Sequence, residues 1–166
     1  STVWGTDSTP SNLWSDFSGA SDPISDVETA KRTILGNTGY LPNTMVLGYN
    51  VWEKLRNHPD LIDRIKYTSA ESVTTEILAR VFGIERVLVA MAVYATNVEN
   101  ETAAYSFVQG KHALVCYVAP TPSVMAPSAG YIFSWKGVSD FMGEIIGVSR
   151  FYIQEKKCWR VEAEIA

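Results

Sequence analysis

The stretch NHPDLIDRIKY, residues 57–67, places His58, Asp60 and Asp63 close together in the chain. An imidazole beside carboxylates can ligate a divalent metal, or exchange a proton with a carboxylate in general acid–base work. Either task needs a third ligand or a nucleophile. The other histidine is His112, in QGKHAL, and no spacing ties it to His58. H-E-x-x-H, C-x-x-C and G-x-S-x-G are all absent. Ser128, before Ala129 and Gly130, fits a loop turn better than a nucleophile. Asp140 and Glu144, flanking FMG, fit a solvated turn better than a catalytic pair. LGNTG and SAGY hold too few glycines, in the wrong context, for a phosphate loop. The expectation is no catalytic set, no cofactor and no metal.

A helix start accounts for the same residues one at a time. Asn57 closes one helix, since Asn tolerates the left-handed conformation. Pro59 opens the next at its first position, and His58 before it is driven to an extended backbone. Asp60 lies in the first turn, where negative charge is favoured, four residues ahead of Arg64. Asp63 lies three before Lys66, and Leu61, Ile62 and Ile65 supply an apolar stripe. His58 is then a cap-region residue without a chemical task.

The elements around this segment follow from pattern. Residues 1–21 are polar, with Trp4, Trp14 and Phe17 among them, which reads as an extended arm that docks. SDPISDVETAKRTILGNTG reads as a helix over 22–35. Asp22 is its N-cap and Pro23 its first residue; Ile24, Val27, Ala30 and Ile34 form its apolar stripe. Glu28 is placed to pair with Arg32, Lys31 is assigned to solvent, and Gly36, Asn37 and Gly39 offer stops. NTMVLG reads as a short buried strand and YNVWEKLRN as a short helix. Further helices are expected over 59–66 and 71–82, the latter opened by a capping box from Thr68 to Glu71. ERVLVAMAVYAT is apolar on both faces, which predicts one central strand. NVENETA is a polar loop, ALVCYVA and YIFSW are strands, and EIIGVSRFYIQEKKCWRVEAEIA is a closing hairpin turning near 155–157. Trp135, Phe151, Tyr152 and Trp159 fall in strand-like runs, where core packing or a subunit contact is expected rather than base stacking. Helices and strands in this order make an α+β chain rather than a regularly alternating one.

Composition sets the outer limits. The chain has 166 residues, 46% hydrophobic and 19% charged, suiting one domain or a compact part of a larger one. No apolar run approaches the roughly 20 residues of a membrane helix, and no basic-then-apolar leader is visible. It begins at Ser1 without methionine, so a processed or truncated chain is expected. Net charge is -4, which gives no bulk attraction to nucleic acid. Cys116 and Cys158 are expected to be buried free thiols. Asn100-Glu101-Thr102 is a sequon read as coincidental.

Four segments, SDPISDVETAKRTI, TGYLPNTMVLGYNVWEKLRNHPDLIDRIKY, VTTEILARVFGIERVLVAMAVY and FVQGKHALVCYVAPTPSVMAPSAGYIFSW, occur in an order that resembles the major capsid proteins of tailed bacteriophages and related prophages. PNTMVLGYNVWEKLRNHPD is the most specific part. The resemblance implies the Hong-Kong-97-type capsid fold. Residues 1–40 would be the extended arm and the end of the spine helix of the peripheral domain, 41–137 the axial domain, and 138–166 a hairpin returning to the peripheral domain. It further implies a C-terminal portion of such a protein, assembling with itself into pentamers and hexamers. Scaffold and portal proteins would be partners and packaged DNA only an indirect one, with no membrane, in a virion capsid assembled in the bacterial cytoplasm. Alternatives are a nanocompartment shell protein, which shares the fold, and an α+β hydrolase using Ser128 or the His58/Asp60 pair.

A shell subunit needs interfaces rather than a reactive pocket. APTPSVMAPSAG, residues 119–130, contains Pro120, Pro122 and Pro127, which remove amide donors and bar an interior strand. Val124 and Met125 at its middle either tuck under the loop or face a neighbouring subunit. Val124, Met125, Trp4 and Trp14 are the candidate interface residues.

Overall fold

Asp22 starts the first helix as its chemistry requires: the carboxylate accepts the amide protons of Ile24 (3.1 Å) and Ser25 (3.0 Å), and Pro23 follows. In the computed structural model, which describes residue 5 and residues 7–66, 73–132 and 146–165, this helix is α1 (Pro23–Thr38). It passes Gly36 and stops at Gly39, whose φ of 75° suits a glycine. The chain continues through β1 (Thr44–Gly48), α2 (Tyr49–Arg56), α3 (Pro59–Ile65), α4 (Thr75–Phe82), β2 (Arg86–Ala90), β3 (Val93–Ala95), β4 (Tyr105–Phe107) and β5 (Ala113–Cys116). These elements lie in one compact unit, Ser1–Ala129, and β6 (Ile146–Ile153) and β7 (Cys158–Ile165) in a second, Gly130–Ala166. The chain is α+β.

The main sheet has the order β2-β1-β5, with β1 parallel to β2 and antiparallel to β5. Alternation along β1 sends Met45 and Leu47 into the core, where both are fully buried with Leu55, Leu61, Leu78 and Phe82. Val46, aligned with Leu88 on β2 and Leu114 on β5, lies on the opposite side of the sheet, and both leucines are about half exposed. The central strand is therefore β1, and β2 is an edge strand, contrary to the expectation for ERVLVAMAVYAT. That run also divides. Past Ala90 the chain leaves the sheet, and Val93–Ala95 pairs instead with Tyr105–Phe107 in a separate ribbon. Apolar residues on both faces misled here because Leu88 and Val93 remain exposed rather than covered.

Other departures have equally local causes. α4 begins at Thr75, where the Thr74 hydroxyl accepts the Ile77 amide proton (3.4 Å). Val73 just outside this cap and Leu78 one turn in are both buried, the arrangement of a hydrophobic staple. The capping box placed at Thr68 to Glu71 lies outside the described residues. Asn57 ends α2 with φ of -105°, not left-handed. Lys31 is not solvated: its side chain is 12% exposed, and Nζ pairs with Glu28 (2.9 Å) and donates to the Phe82 carbonyl (2.8 Å). That carbonyl is an unsatisfied group at the negative end of α4, so a cation there is doubly favoured. Glu28 thus pairs with Lys31 in place of Arg32. In YIFSW, Tyr131 and Ile132 are not in a strand, and the other three residues lie outside the described residues.

The second unit's hairpin turns where expected: Ile153 faces Cys158, and the Lys157 amide donates to the Gln154 carbonyl (3.3 Å) across the turn.

Gly48 ends β1 where the chain before β5 crosses closely. A Cβ there would collide with the backbone carbonyls of Gln109 and Gly110, and the Gly48 amide donates to the His112 carbonyl at 2.9 Å. Because the obstacles are backbone, no side chain can swing away. Gly48→Ala is expected to lower unfolding free energy by about 1–3 kcal/mol in urea titration, the range of overpacked cores.

Candidate assembly surface

His58 is 2% exposed, at the corner between α2 and α3. Its Nδ1 accepts the Asp60 amide proton (3.3 Å), capping α3. The neutral ring then carries its proton on Nε2, which donates to Ser21 Oγ (2.9 Å); that hydroxyl donates onward to the Asp16 carbonyl (2.6 Å). Phe17 meets the imidazole edge to face, with centroids 5.7 Å apart. His58 does cap its helix, and it also ties the N-terminal segment to that helix, which spacing alone did not reveal. Asp63 and His112 are exposed, whereas His58 is buried. Among the described residues no three His, Cys, Asp or Glu side chains are grouped to hold a metal.

Trp14 strengthens the same attachment. Its Nε1 donates to Asp26 Oδ2 on α1 (2.7 Å), and its ring packs partly buried against the core. Trp4, Asp140, Glu144 and Trp135 lie outside the described residues. Ser128 Oγ accepts the Ala119 amide proton (3.3 Å), which occupies it in holding a loop closed.

That loop is the segment bearing Val124 and Met125. Its neck is closed by the Ala119–Ser128 bond and by the Ala129 amide donating to the Tyr117 carbonyl (2.8 Å). Its tip turns on Ser123: the Ala126 amide donates to the Ser123 carbonyl (3.1 Å) and the Met125 amide to its hydroxyl (3.3 Å). Val124 is 84% and Met125 92% exposed. The choice between tucked and displayed is decided for display. Burying two such side chains against a partner is worth about 1.5–3 kcal/mol each before ordering costs.

Further apolar surface stands on β3–β4, where Val93, Tyr94 and Tyr105 are exposed, while Phe107 stacks on Tyr49 at 5.2 Å. On β6–β7 the aromatics are surface residues rather than core. Arg150 lies 4.2 Å above the Trp159 ring, Tyr152 meets Trp159 edge on at 5.2 Å, and Arg160 sits over Phe151 at 5.5 Å. No helix among the described residues is long and apolar enough to cross a membrane.

The cysteines also depart from expectation. Cys158 is exposed, whereas Cys116 is half-buried beside Arg86. Burial pushes the Cys116 thiol above its ordinary range, and the Arg86 charge offsets this in part.

The profile of the family described as phage major capsid protein E matches residues 7–124. The major capsid protein of Burkholderia phage BcepMu is 32% identical over 122 residues, covering 70% of this chain and 38% of that protein. A crystal structure of a phage-related protein from Bordetella bronchiseptica RB50 superposes with a TM-score of 0.66 at 28% identity, over 91% of this chain and 46% of that one. The chain thus spans less than half the length of each of these relatives.

Two outcomes are expected from the site geometry. His58→Ala should cost about 1–3 kcal/mol in equilibrium unfolding, because the hydroxyl of Ser21 and the amide of Asp60 lose their buried partner; elemental analysis should find no stoichiometric transition metal in either protein. Alkylation at pH 8 followed by peptide mapping should modify Cys158 well before Cys116, since the thiolate at Cys116 is both less accessible and less populated.

Proposed function

The chain belongs to the phage major capsid protein E family, and on that premise we propose that it is a structural subunit of an icosahedral phage or prophage head. The match across residues 7–124 carries this reading, and the named Burkholderia phage relative supports it. The role is structural rather than enzymatic. The hydrolase alternative would draw on Ser128, whose hydroxyl is engaged by the Ala119 amide, or on His58, whose ring is buried with both nitrogens engaged. A nanocompartment shell is not favoured, because the named curated relative is the major capsid protein of a phage.

In this proposal the fold is of the Hong-Kong-97 type. α1 is the end of the spine helix, residues 41–137 form the axial domain, and residues 1–40 and 138–166 belong to the peripheral domain. The subunit works by self-association into pentamers and hexamers, with scaffold and portal proteins as further partners and DNA enclosed rather than bound directly. It acts in the virion shell and is assembled in the bacterial cytoplasm. Val124 and Met125 are contacts to a neighbouring subunit, which would cover two highly exposed apolar side chains of an otherwise well-held loop. Trp4 and Trp14 are the remaining proposed interface positions. Trp14 already spends its indole N–H on Asp26, so only the outer part of its ring is free for a neighbour.

The decisive variant is Met125→Asp. Its tip position touches no core residue, so the thermal midpoint of the unassembled subunit should stay within about 1–2 °C of the parent, as for surface substitutions. Particle yield by electron microscopy should fall at least tenfold, since a carboxylate would be buried without a partner in the interface. Normal particles from this variant would refute the loop's role as an interface.

A further inference from the structure

Asn43 stands between Pro42 and β1, half-buried, where three segments meet. Its backbone extends the sheet by one residue: the amide donates to the Cys116 carbonyl (3.2 Å), and the carbonyl accepts from the Arg86 amide (3.1 Å). Its side chain is turned to Val118. Nδ2 donates to the Val118 carbonyl at 2.8 Å, and Oδ1 accepts the Val118 amide proton at 2.9 Å. Thr44 Oγ1 also donates to Oδ1 (3.1 Å). The two-way bond imitates an antiparallel backbone pair at the point where the chain leaves β5 for the loop. Directly beyond it lie the two bonds that close the loop's neck, and Tyr117 stacks on Tyr40 with centroids 4.9 Å apart.

Val124 and Met125 do not anchor the tip, because both point to solvent. The Ser123 turn shapes the tip locally, and the neck sets how the loop leaves the sheet. A neutral amide offers a donor and an acceptor side by side, as Val118 requires; a carboxylate offers acceptors alone, and a leucine of similar size offers neither.

We infer that Asn43 is a positioning residue for assembly: its side-chain clamp on Val118 sets the loop in its final shape in the isolated subunit. A neighbouring copy then meets a surface that is already ordered. The entropy of fixing the loop is lost during folding and not during association, which favours binding without adding a contact. This rests on the loop being a subunit interface.

Amide hydrogen exchange on the full chain tests the clamp, with particle yield measured in parallel. The Ala129 amide is the reporter, because it closes the neck without touching Asn43. In Asn43→Leu its exchange should accelerate about tenfold or more, the loss expected from a hydrogen-bonded pair, while the Met45 and Leu47 amides in β1 keep parental rates. In Asn43→Asp the acceleration should be present at neutral pH. It should shrink as pH falls through the ordinary carboxylate range near 4, because the protonated acid again offers both donor and acceptor. Particle yield should drop several-fold in both variants. Parental Ala129 exchange in both variants overturns the clamp. Equal acceleration at Met45, or no acid recovery in Asn43→Asp, makes Asn43 merely a sheet residue and overturns it too. Fast Ala129 exchange with undiminished yield removes the assembly role. Should Met125→Asp also assemble normally, the interface reading itself has failed, and the exchange result stands apart from it.

Discussion

The first unit depends on β1 having both edges hydrogen-bonded and one face buried. Met45 and Leu47 are fully buried, and α1, α2, α3 and α4 all contribute side chains to the cluster around them. A strand paired on both sides cannot slip by one residue without turning Met45 and Leu47 outward and Val46 inward. The register with β2 and β5 is thereby set, and with it the positions of every loop that leaves the sheet.

Apolar burial holds the centre, and polar ties hold the periphery. Trp14 on Asp26, Ser21 on His58 and Lys31 on the Phe82 carbonyl each join segments far apart in the chain. Each uses a group that would otherwise be left unpaired: an indole N–H, an imidazole and the last carbonyl of a helix. None of them is a reactive constellation, although His58 and its carboxylate neighbours have the residue types for one. Types within a short stretch did not decide the chemistry; the partners of both ring nitrogens did.

The described surface combines a held backbone with displayed apolar side chains. The loop around Met125 is closed at its neck and turned at its tip, yet displays apolar side chains. The β3–β4 ribbon and the β6–β7 hairpin expose aromatics as well, some of them covered by arginines. Apolar side chains displayed in groups like these make the three places candidates for interaction sites.

What the sequence determined by itself was mostly local. Asp22 and Pro23 dictated the start of α1 and Pro59 that of α3, because caps and breakers act within a few residues; for the end of α1 the sequence offered Gly36, Asn37 and Gly39, and the helix runs on to the last of them. The short buried strand at NTMVLG was also legible, as were the closing hairpin's turn, the prolines that keep residues 119–130 out of a strand, and the family resemblance. The tertiary structure alone decided which strand is central, since that depends on partners dozens of residues away. It decided that Lys31 is partly buried on a helix end, that His58 is a buried tie as well as a cap, and that Cys158 is open to solvent. It also placed Asn43 against Val118, a contact between residues 75 apart in sequence that no periodicity or short motif encodes, because each of its two halves is unremarkable until the sheet brings them together.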